Sequence, residues 1–181
     1  DNTIFHSSRP ARVYKTFSEI PRLIVNSLIF IESKEQLSNG YRNPVIEWNR
    51  LLFNVLKLSM KKIGIPSTVN GASTLATQME KYKHSPYGKT NHIKDKAKQI
   101  YSASLKVYKN GRNTLDSSKN IVLKFVNSVP LGSTKGYGEI IGFADAMYHW
   151  FGIDFNDLNN GLRSYDPRIY KHFLSLIVSE R

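Results

Sequence analysis

The sequence of 181 residues contains no cysteine. Disulfide bonds and cysteine-ligated zinc sites are therefore excluded, and the composition says nothing about the redox state of the compartment. The five histidines are scattered along the chain and show none of the short spacings typical of a metal site. Stability must come from a hydrophobic core, and 40% hydrophobic content is enough for one sizeable core or for two lobes sharing a single domain.

Long apolar runs are also missing. No segment approaches the ~18 uninterrupted apolar residues that a membrane-spanning helix needs, and the N-terminus has no apolar signal region. The chain starts at Asp1 without Met and ends inside an apolar run. We therefore expect residues 1–181 to be a single domain excised from a longer protein, with any targeting elements outside it.

Acidic residues are few, with 14 Asp and Glu against 26 Lys and Arg, which gives a net charge of +12. Such an excess of positive charge indicates an acidic partner. Nucleic acid, an anionic membrane surface and a phosphorylated substrate are equally compatible with charge alone. Tyrosines and lysines do not interleave as in a recognisable nucleic-acid-binding module, so we rank nucleic acid last.

Strand signals are weak throughout, and the sequence predicts a mostly α fold. Residues 1–17 are rich in helix breakers and predict an irregular arm or an edge strand. Apolar residues at spacings of three and four predict helices at 18–32, 45–63, after 73, and at 93–108, 118–129, 139–151 and from 166. We expect a flexible loop at 130–138 and another loop at 153–166.

Residues 71–81, Gly-Ala-Ser-Thr-Leu-Ala-Thr-Gln-Met-Glu-Lys, combine a flexible turn with the start of a helix. Ser73 is a candidate N-cap, and Thr74, Gln78 and Lys81 share one face at helical spacing. A helix N-terminus with hydroxyl groups and a nearby lysine can receive an anion. An ordinary capped amphipathic helix explains the same pattern, and the spacing is not that of a P-loop.

Glu32 stands at the end of the first predicted helix, beside the apolar Leu28 and Ile31. The helix macrodipole and the apolar neighbours both disfavour the charged form of a carboxyl group at this position. A carboxyl group in such a setting can serve as a general base. The alternative is that Glu32 and Ser33 simply mark the point where the helix emerges into water.

Two predicted helices carry clusters of lysines. The helix at 45–63 has a wide apolar face and a basic end, so it fits either a membrane interface or a core position with a solvated terminus. In the helix at 93–108, Lys96 and Gln99 lie one turn apart and can meet an anion together. A solvated run of charge is the alternative for this second cluster.

Taken in order, these features resemble glycosyltransferase family 51, the peptidoglycan glycosyltransferase domain of bifunctional penicillin-binding proteins. The apolar helix that ends at Glu32 is similar to the family's first motif. Residues 71–81 are similar to its Gly-Gly-Ser-Thr-Ile-Thr-Gln-Gln-Leu-x-Lys motif, which is the most specific match. Residues 95–99, Asp-Lys-Ala-Lys-Gln, stand where the family has Arg-Lys-x-x-Glu, and 121–138 resemble its fourth motif through Asn127 and the glycines. The resemblance spans most of the chain.

The resemblance implies a bilobed, lysozyme-like, mostly α fold that polymerises lipid II. The growing glycan would pass from undecaprenyl diphosphate to the 4-hydroxyl of the acceptor sugar, with inversion. Glu32 would be the general base, and Gln99 would be the second catalytic position. The implied substrate-binding residues are Ser73, Thr74, Gln78, Lys81, Lys96, Lys98 and Asn127. A diphosphate is already a good leaving group, so it needs positive charge, here from lysines, more than a proton donor.

The implied partners are lipid II, the growing glycan strand, a membrane surface and other domains of the parent protein, with no nucleic acid. The implied location is the bacterial cell envelope, at the outer, periplasmic face of the inner membrane, without a targeting segment in this chain. The cofactor that the resemblance leaves open is a divalent cation, Mg²⁺ or Mn²⁺, and no residue is assigned as a metal ligand.

Several positions depart from the family pattern. Ser33 replaces the aspartate that follows the base, Gln99 replaces a glutamate and Asp95 replaces an arginine. The usual Phe and His have no counterpart in 36–40. Gln99 keeps an oxygen acceptor but lacks the charge that binds a metal tightly. Three functions are therefore compatible with the sequence: an active glycosyltransferase, a catalytically silent domain that binds lipid II or glycan, and a lysozyme-like peptidoglycan hydrolase.

Overall fold

The computed structural model describes residues 12–32, 37, 43–64, 73–84 and 93–179. These residues form a short 3-10 turn at Phe17–Glu19, eight α-helices and one antiparallel pair of strands, in the order α1 (Arg22–Glu32), α2 (Trp48–Lys62), α3 (Leu75–His84), α4 (Ile93–Val107), α5 (Leu115–Ser128), β1 (Pro130–Thr134), β2 (Gly138–Ile141), α6 (Phe143–Phe151), α7 (Phe155–Arg163) and α8 (Pro167–Ser179). The predicted mostly α fold is confirmed. None of the described helices has the length and apolar character needed to cross a membrane.

The larger hydrophobic core lies among α1, α5, α6, α7 and α8. Three phenylalanines from different helices pack against one another within it: the ring centroids of Phe125 and Phe143 are 6.3 Å apart with the rings tilted, and those of Phe143 and Phe173 are 5.6 Å apart, edge to face. Ile24 and Leu28, four residues apart on α1, are both fully buried against this core. Burial of this side of α1 fixes the position of the helix end at which Glu32 lies.

A smaller core joins α3 and α4 to the segment that precedes α2. It contains Val45, Ala76, Ala103 and Val107, with Ile121 of α5 packed against it. The residue before Ala76 on α3, Leu75, belongs to the larger core instead. Because adjacent residues of α3 face different cores, α3 lies between two groups of packed elements. This is the arrangement expected of a bilobed fold.

Residues 130–138, which we predicted to be a flexible loop, form most of a β-hairpin. Pro130 pairs with Ile141, and the register is irregular between Pro130 and Gly132, where the glycine has a φ of +131°. Proline is tolerated as the first residue of a strand, and glycine is common at a bulge. The loop prediction is therefore wrong because these breaker residues mark a strand end and a bulge.

The predicted loop at 153–166 is also wrong, since it contains α7. Asp154 caps this helix, its Oδ1 accepting from the backbone N–H groups of Asn156 at 2.6 Å and Asp157 at 3.0 Å. Leu158 and Leu162, four residues apart, are buried in the larger core. The aspartate cap and the leucine spacing were both visible in the sequence, but asparagines and a glycine between them weakened the helical pattern.

The helix that we predicted at 139–151 begins only at Phe143, because residues 138–141 belong to β2. Gly142 forms the boundary: its φ is +84°, and its N–H donates to Val129 O at 2.8 Å. A Cβ at this position would lie 2.8 Å from the backbone oxygen of Asn127. This close contact holds the start of α6 against the end of α5, the part of the chain that borders the candidate site.

We expect Gly142→Ala to lower the free energy of unfolding by about 3 kcal/mol, since the alanine would combine an unfavourable φ with a backbone clash. Gly136→Ala is the matched control, because Gly136 has a φ of +81° but nothing within 4 Å of its Cβ position. Its cost should be about 1 kcal/mol. Urea denaturation measures both values, and equal costs would contradict the close approach at Gly142.

Some of the predictions concern residues that the structure does not describe. Residues 1–11, 33–36, 38–42, 65–72, 85–92 and 180–181 are not described, and Ser33, Gly71 and Ala72 are among them. The predictions for them stay predictions.

Candidate active site

A cavity of about 480 Å³ lies between α3, the end of α5 and the start of β1. We call it the first cavity. Polar and apolar side chains line it, namely Ser73, Gln78, Met79, Lys81, Phe125, Ser128, Val129 and Pro130. Three of the predicted site residues, Ser73, Gln78 and Lys81, are therefore brought together at one cavity.

Glu32 lies at the end of α1, as predicted, and is only 4% exposed. Its Oε2 accepts a hydrogen bond from Gln78 Nε2 at 2.8 Å. The alternative of a side chain emerging into water is therefore wrong. Because Gln78 also lines the first cavity, its amide connects the buried carboxyl group to the cavity wall.

Thr74, rather than Ser73, caps α3. The Thr74 N–H donates to Thr77 Oγ1 at 2.8 Å, and the Thr77 N–H donates to Thr74 Oγ1 at 3.4 Å, which is a reciprocal capping pattern. The Thr74 hydroxyl also donates to Val45 O at 2.8 Å, and the residue is fully buried. The prediction that Ser73 is the cap is therefore wrong, and the substrate-binding role of Thr74 stays a prediction.

Because Ser73 does not cap the helix, its hydroxyl can accept a hydrogen bond from Lys96 Nζ, at 2.8 Å. Thr77 Oγ1 lies 3.4 Å from the same nitrogen. Lys96 of α4 is thus held at the N-terminus of α3. Burial, followed by the positive charge of Lys81, lowers the pKa of Lys96 to about 8. Lys96 lies at the N-terminus of α3, and the charge of Lys81 repels it, so the helix end and the two ammonium groups all favour a nearby anion.

The other predicted site residues of α4, Gln99 and Lys98, lie on different faces of the helix. Gln99, one turn from Lys96, is 1% exposed, and Ala103 and Val107 follow it on the buried side of the helix. Lys98 is exposed and lies about 200° around the helix axis from Lys96. A contact of Lys98 with the same anion as Lys96 is therefore unfavourable in this arrangement, and its binding role stays a prediction.

Asn127 makes two hydrogen bonds to the backbone of Tyr14. Its Oδ1 accepts from the Tyr14 N–H at 3.0 Å, and its Nδ2 donates to Tyr14 O at 2.8 Å. The amide thereby ties the segment before α1 to the end of α5. The substrate-binding role that we predicted for Asn127 stays a prediction, since both ends of its amide contact this backbone.

Sequence reasoning missed two groups of residues. The end of α5 lines the first cavity through Phe125 and Ser128, which are three residues apart, but Asn127 was the only residue of this helix that we predicted to belong to the site. Glu80 is 3% exposed and forms an ion pair with Lys106, and Ser102 Oγ donates to its Oε2 at 2.8 Å. No local pattern in the sequence indicates this pair, because 26 residues separate its members.

The described residues do not fit a divalent cation well. Hard cations such as Mg²⁺ prefer several carboxylate or carbonyl oxygens. No group of three or more His, Cys, Asp or Glu among the described residues could hold a metal ion. Gln99 is neutral, and the hydroxyls of Ser73 and Thr77 contact an ammonium group. In the described part of the site, Lys81 and Lys96 carry the positive charge, and their role in binding a phosphate group stays a prediction.

Comparison with known proteins agrees with the motif resemblance. The family model described as Transglycosylase matches residues 1–161. No curated protein matches the chain. The matched region covers most of the 181 residues, including every predicted site residue. The chain therefore belongs to the transglycosylase family, the peptidoglycan glycosyltransferases of family 51 that its motifs resemble.

Proposed function

We propose that this domain transfers a glycan from an undecaprenyl-diphosphate donor to the 4-hydroxyl of lipid II, with inversion at the anomeric carbon. Membership of the transglycosylase family supports glycosyltransferase chemistry in peptidoglycan synthesis. The observation that carries the proposal is the buried Glu32, bonded to Gln78 in the wall of a cavity that Lys81 also lines. A carboxyl group that could act as a base and a cation that could bind a diphosphate therefore lie at the same cavity.

In the proposed reaction, the carboxylate of Glu32 accepts the proton of the acceptor's 4-hydroxyl. The bond from this oxygen to C1 of the donor forms as the bond from C1 to the diphosphate oxygen breaks. The electron pair of the broken bond leaves with undecaprenyl diphosphate. Inversion requires the base and the leaving group on opposite faces of the donor sugar. The hydrogen bond from Gln78 orients the carboxylate for this proton transfer.

The leaving diphosphate carries the charge that develops during the reaction, so it needs preplaced cations. Lys96 donates a hydrogen bond to Ser73, which lines the first cavity. The positive charges of Lys96 and Lys81 lie close enough to repel each other. Binding of a diphosphate between these ammonium groups would relieve their repulsion. The lysines therefore bind the donor and stabilise the departing group in the same place.

The second candidate function is a catalytically silent domain that binds lipid II or glycan. It is favoured by Gln99, a buried neutral amide where the family has a carboxylate. In this case Lys81, Lys96 and the first cavity would still bind the diphosphate, while turnover would be absent.

Product analysis with labelled lipid II distinguishes the candidates. The purified domain should convert lipid II into polymer under the proposed function. Binding of lipid II without polymer would support the silent domain instead. Release of soluble fragments from intact sacculi, also without polymer, would support a lysozyme-like hydrolase. Either of the last two results would overturn the proposed transferase activity.

We also propose that α2 contacts the membrane in which the lipid substrate is anchored, at the periplasmic face of the inner membrane. Apolar side chains recur on one side of α2 at helical spacing and are exposed, namely Trp48, Leu52, Leu56 and Met60, and the exposed Ile63 directly follows the helix. Lys57 lies beside them, with its Nζ 4.6 Å from the centroid of the Phe53 ring. An apolar stripe flanked by lysine is suited to an interface of acyl chains and anionic headgroups.

Cosedimentation with anionic lipid vesicles tests this contact. We expect the double variant Leu52→Ser, Leu56→Ser to bind vesicles at least about tenfold more weakly, because it loses buried apolar area in the bilayer. The control is Leu105→Ser, Val178→Ser, which removes two exposed apolar side chains from α4 and α8. Equal loss in both variants would contradict a specific role for α2.

A further inference from the structure

A second cavity, of about 420 Å³, lies between α3, α4 and α5. We call it the lysine cavity, because Lys106, Lys109 and Lys124 line it. Met79 lines both this cavity and the first one. The two cavities are therefore neighbours on either side of a single residue of α3.

The two cavities also share one face of α5. Ser117, Ile121 and Lys124 line the lysine cavity and recur at helical spacing, and Ser128 continues the same face into the first cavity. From Ser117 to Ser128 the helix rises roughly 16 Å. A ligand lying along α5 could thus reach from one cavity to the other past Met79.

The lining of the lysine cavity is apolar at its floor and basic at its edge. Ala76, Ala103 and Ile121 supply apolar surface. Among the described residues that line it, Glu80 is the one acidic side chain, and it is 3% exposed. Glu80 is compensated by its ion pair with Lys106 and by the hydrogen bond from Ser102. The charge of the cavity therefore comes mainly from Lys109 and Lys124.

This arrangement suits a carboxylate ligand. Lys109 and Lys124 come from different elements, and the amide side chain of Asn120 lines the cavity with them. Two ammonium groups and an amide can donate to the two oxygens of a carboxylate, and donors that carry charge make the stronger bonds. The contacts of the buried Glu80 with Lys106 and Ser102 fix one wall of the cavity, so the ligand does not have to order that wall.

We propose that the lysine cavity binds carboxylate groups on the peptide arm of the lipid-linked substrate whose sugar and diphosphate occupy the first cavity. The inference rests on the proposed function, since it requires that substrate in the first cavity. The peptide is attached to the sugar, so it can extend along α5 past Met79. The lysine cavity then selects substrates by the negative charge of their peptide, although the peptide takes no part in the glycosyl transfer itself.

Binding of three labelled, short-chain analogues of lipid II tests this inference. The first has the intact peptide, the second has its peptide carboxylates converted to amides, and the third lacks the peptide. We expect the wild-type domain to bind the intact analogue about tenfold more tightly than the other two, as measured by fluorescence anisotropy. The double variant Lys109→Gln, Lys124→Gln should bind all three with the weaker affinity.

The matched control is Lys15→Gln, Lys171→Gln, which removes the same charge from exposed positions outside both cavities. It should retain the preference of wild type for the intact analogue. Equal wild-type affinity for the intact and amidated analogues would overturn the inference while leaving the proposed function standing. An equal loss in the control variant would also overturn it, because net charge would explain the effect. Failure of wild type to bind any analogue would overturn the proposed function as well.

Discussion

Replacing Glu32 with glutamine should slow glycan polymerisation by about 10³-fold, within the range of 10² to 10⁴ that a positioned general base contributes. The carboxyl group is buried, and it accepts a hydrogen bond from Gln78, which lines the first cavity. Glutamine has almost the same shape and can still accept from Gln78, but it cannot accept the proton of the acceptor hydroxyl. The loss should therefore be in kcat, with KM for lipid II nearly unchanged, as measured by initial rates with labelled substrate.

The control for this experiment is Glu139→Gln. Glu139 lies on β2 and is exposed, so the variant loses the same charge without touching the first cavity. It should keep wild-type rates. Retention of half or more of the activity by Glu32→Gln would show that another group accepts the proton.

Replacing Lys96 with methionine should weaken the binding of a diphosphate diester by about 10- to 100-fold. Methionine fills a similar volume but removes the charge that Lys96 holds against Ser73. A hydrogen bond to a charged group contributes about 1.5–3 kcal/mol, which corresponds to this range. Isothermal titration calorimetry measures the affinity. Unchanged affinity in the variant would remove Lys96 from the diphosphate site.

The pH dependence of the same binding provides a sharper readout. Burial and the charge of Lys81 lower the pKa of Lys96 to about 8, and a bound anion favours the protonated form. Wild-type affinity should therefore be complete below pH 8 and fall as the pH rises above it, since a diphosphate diester keeps its own charge in this range. Lys96→Met should bind weakly without this step, and Lys96→Arg, which stays charged, should also lack it.

Local sequence patterns predicted the elements on which the site depends. The apolar spacing on α1 predicted that Glu32 would lie at the helix end, and it does. The pattern in 71–81 predicted the helix that carries Gln78 and Lys81. Burial of Gln99 near Lys96 also follows from helical spacing once Ala103 and Val107 are known to be core residues. The same spacing separates Lys98 from Lys96, so motif resemblance alone grouped residues that lie on different faces.

Other features depend on contacts between residues that are distant in the chain. Asn127 binds the backbone of Tyr14, 113 residues away, and the sequence alone gives no reason to pair them. Ser73 looked like a helix cap because serine is common there, but the neighbouring Thr74 caps α3 through Thr77. The hydrogen bond from Lys96 to the Ser73 hydroxyl depends on the packing of α4 against α3, which local sequence patterns do not predict.

The anomeric configuration of the linkages that wild-type domain forms from labelled lipid II tests the central claim most directly. NMR spectroscopy of the purified polymer reports this configuration for each new bond. If Glu32 activates the acceptor hydroxyl opposite a diphosphate held by Lys81 and Lys96, every new linkage has the configuration opposite to that of the donor. Retained configuration, or no polymer from fully folded domain with lipid II bound, would contradict the account.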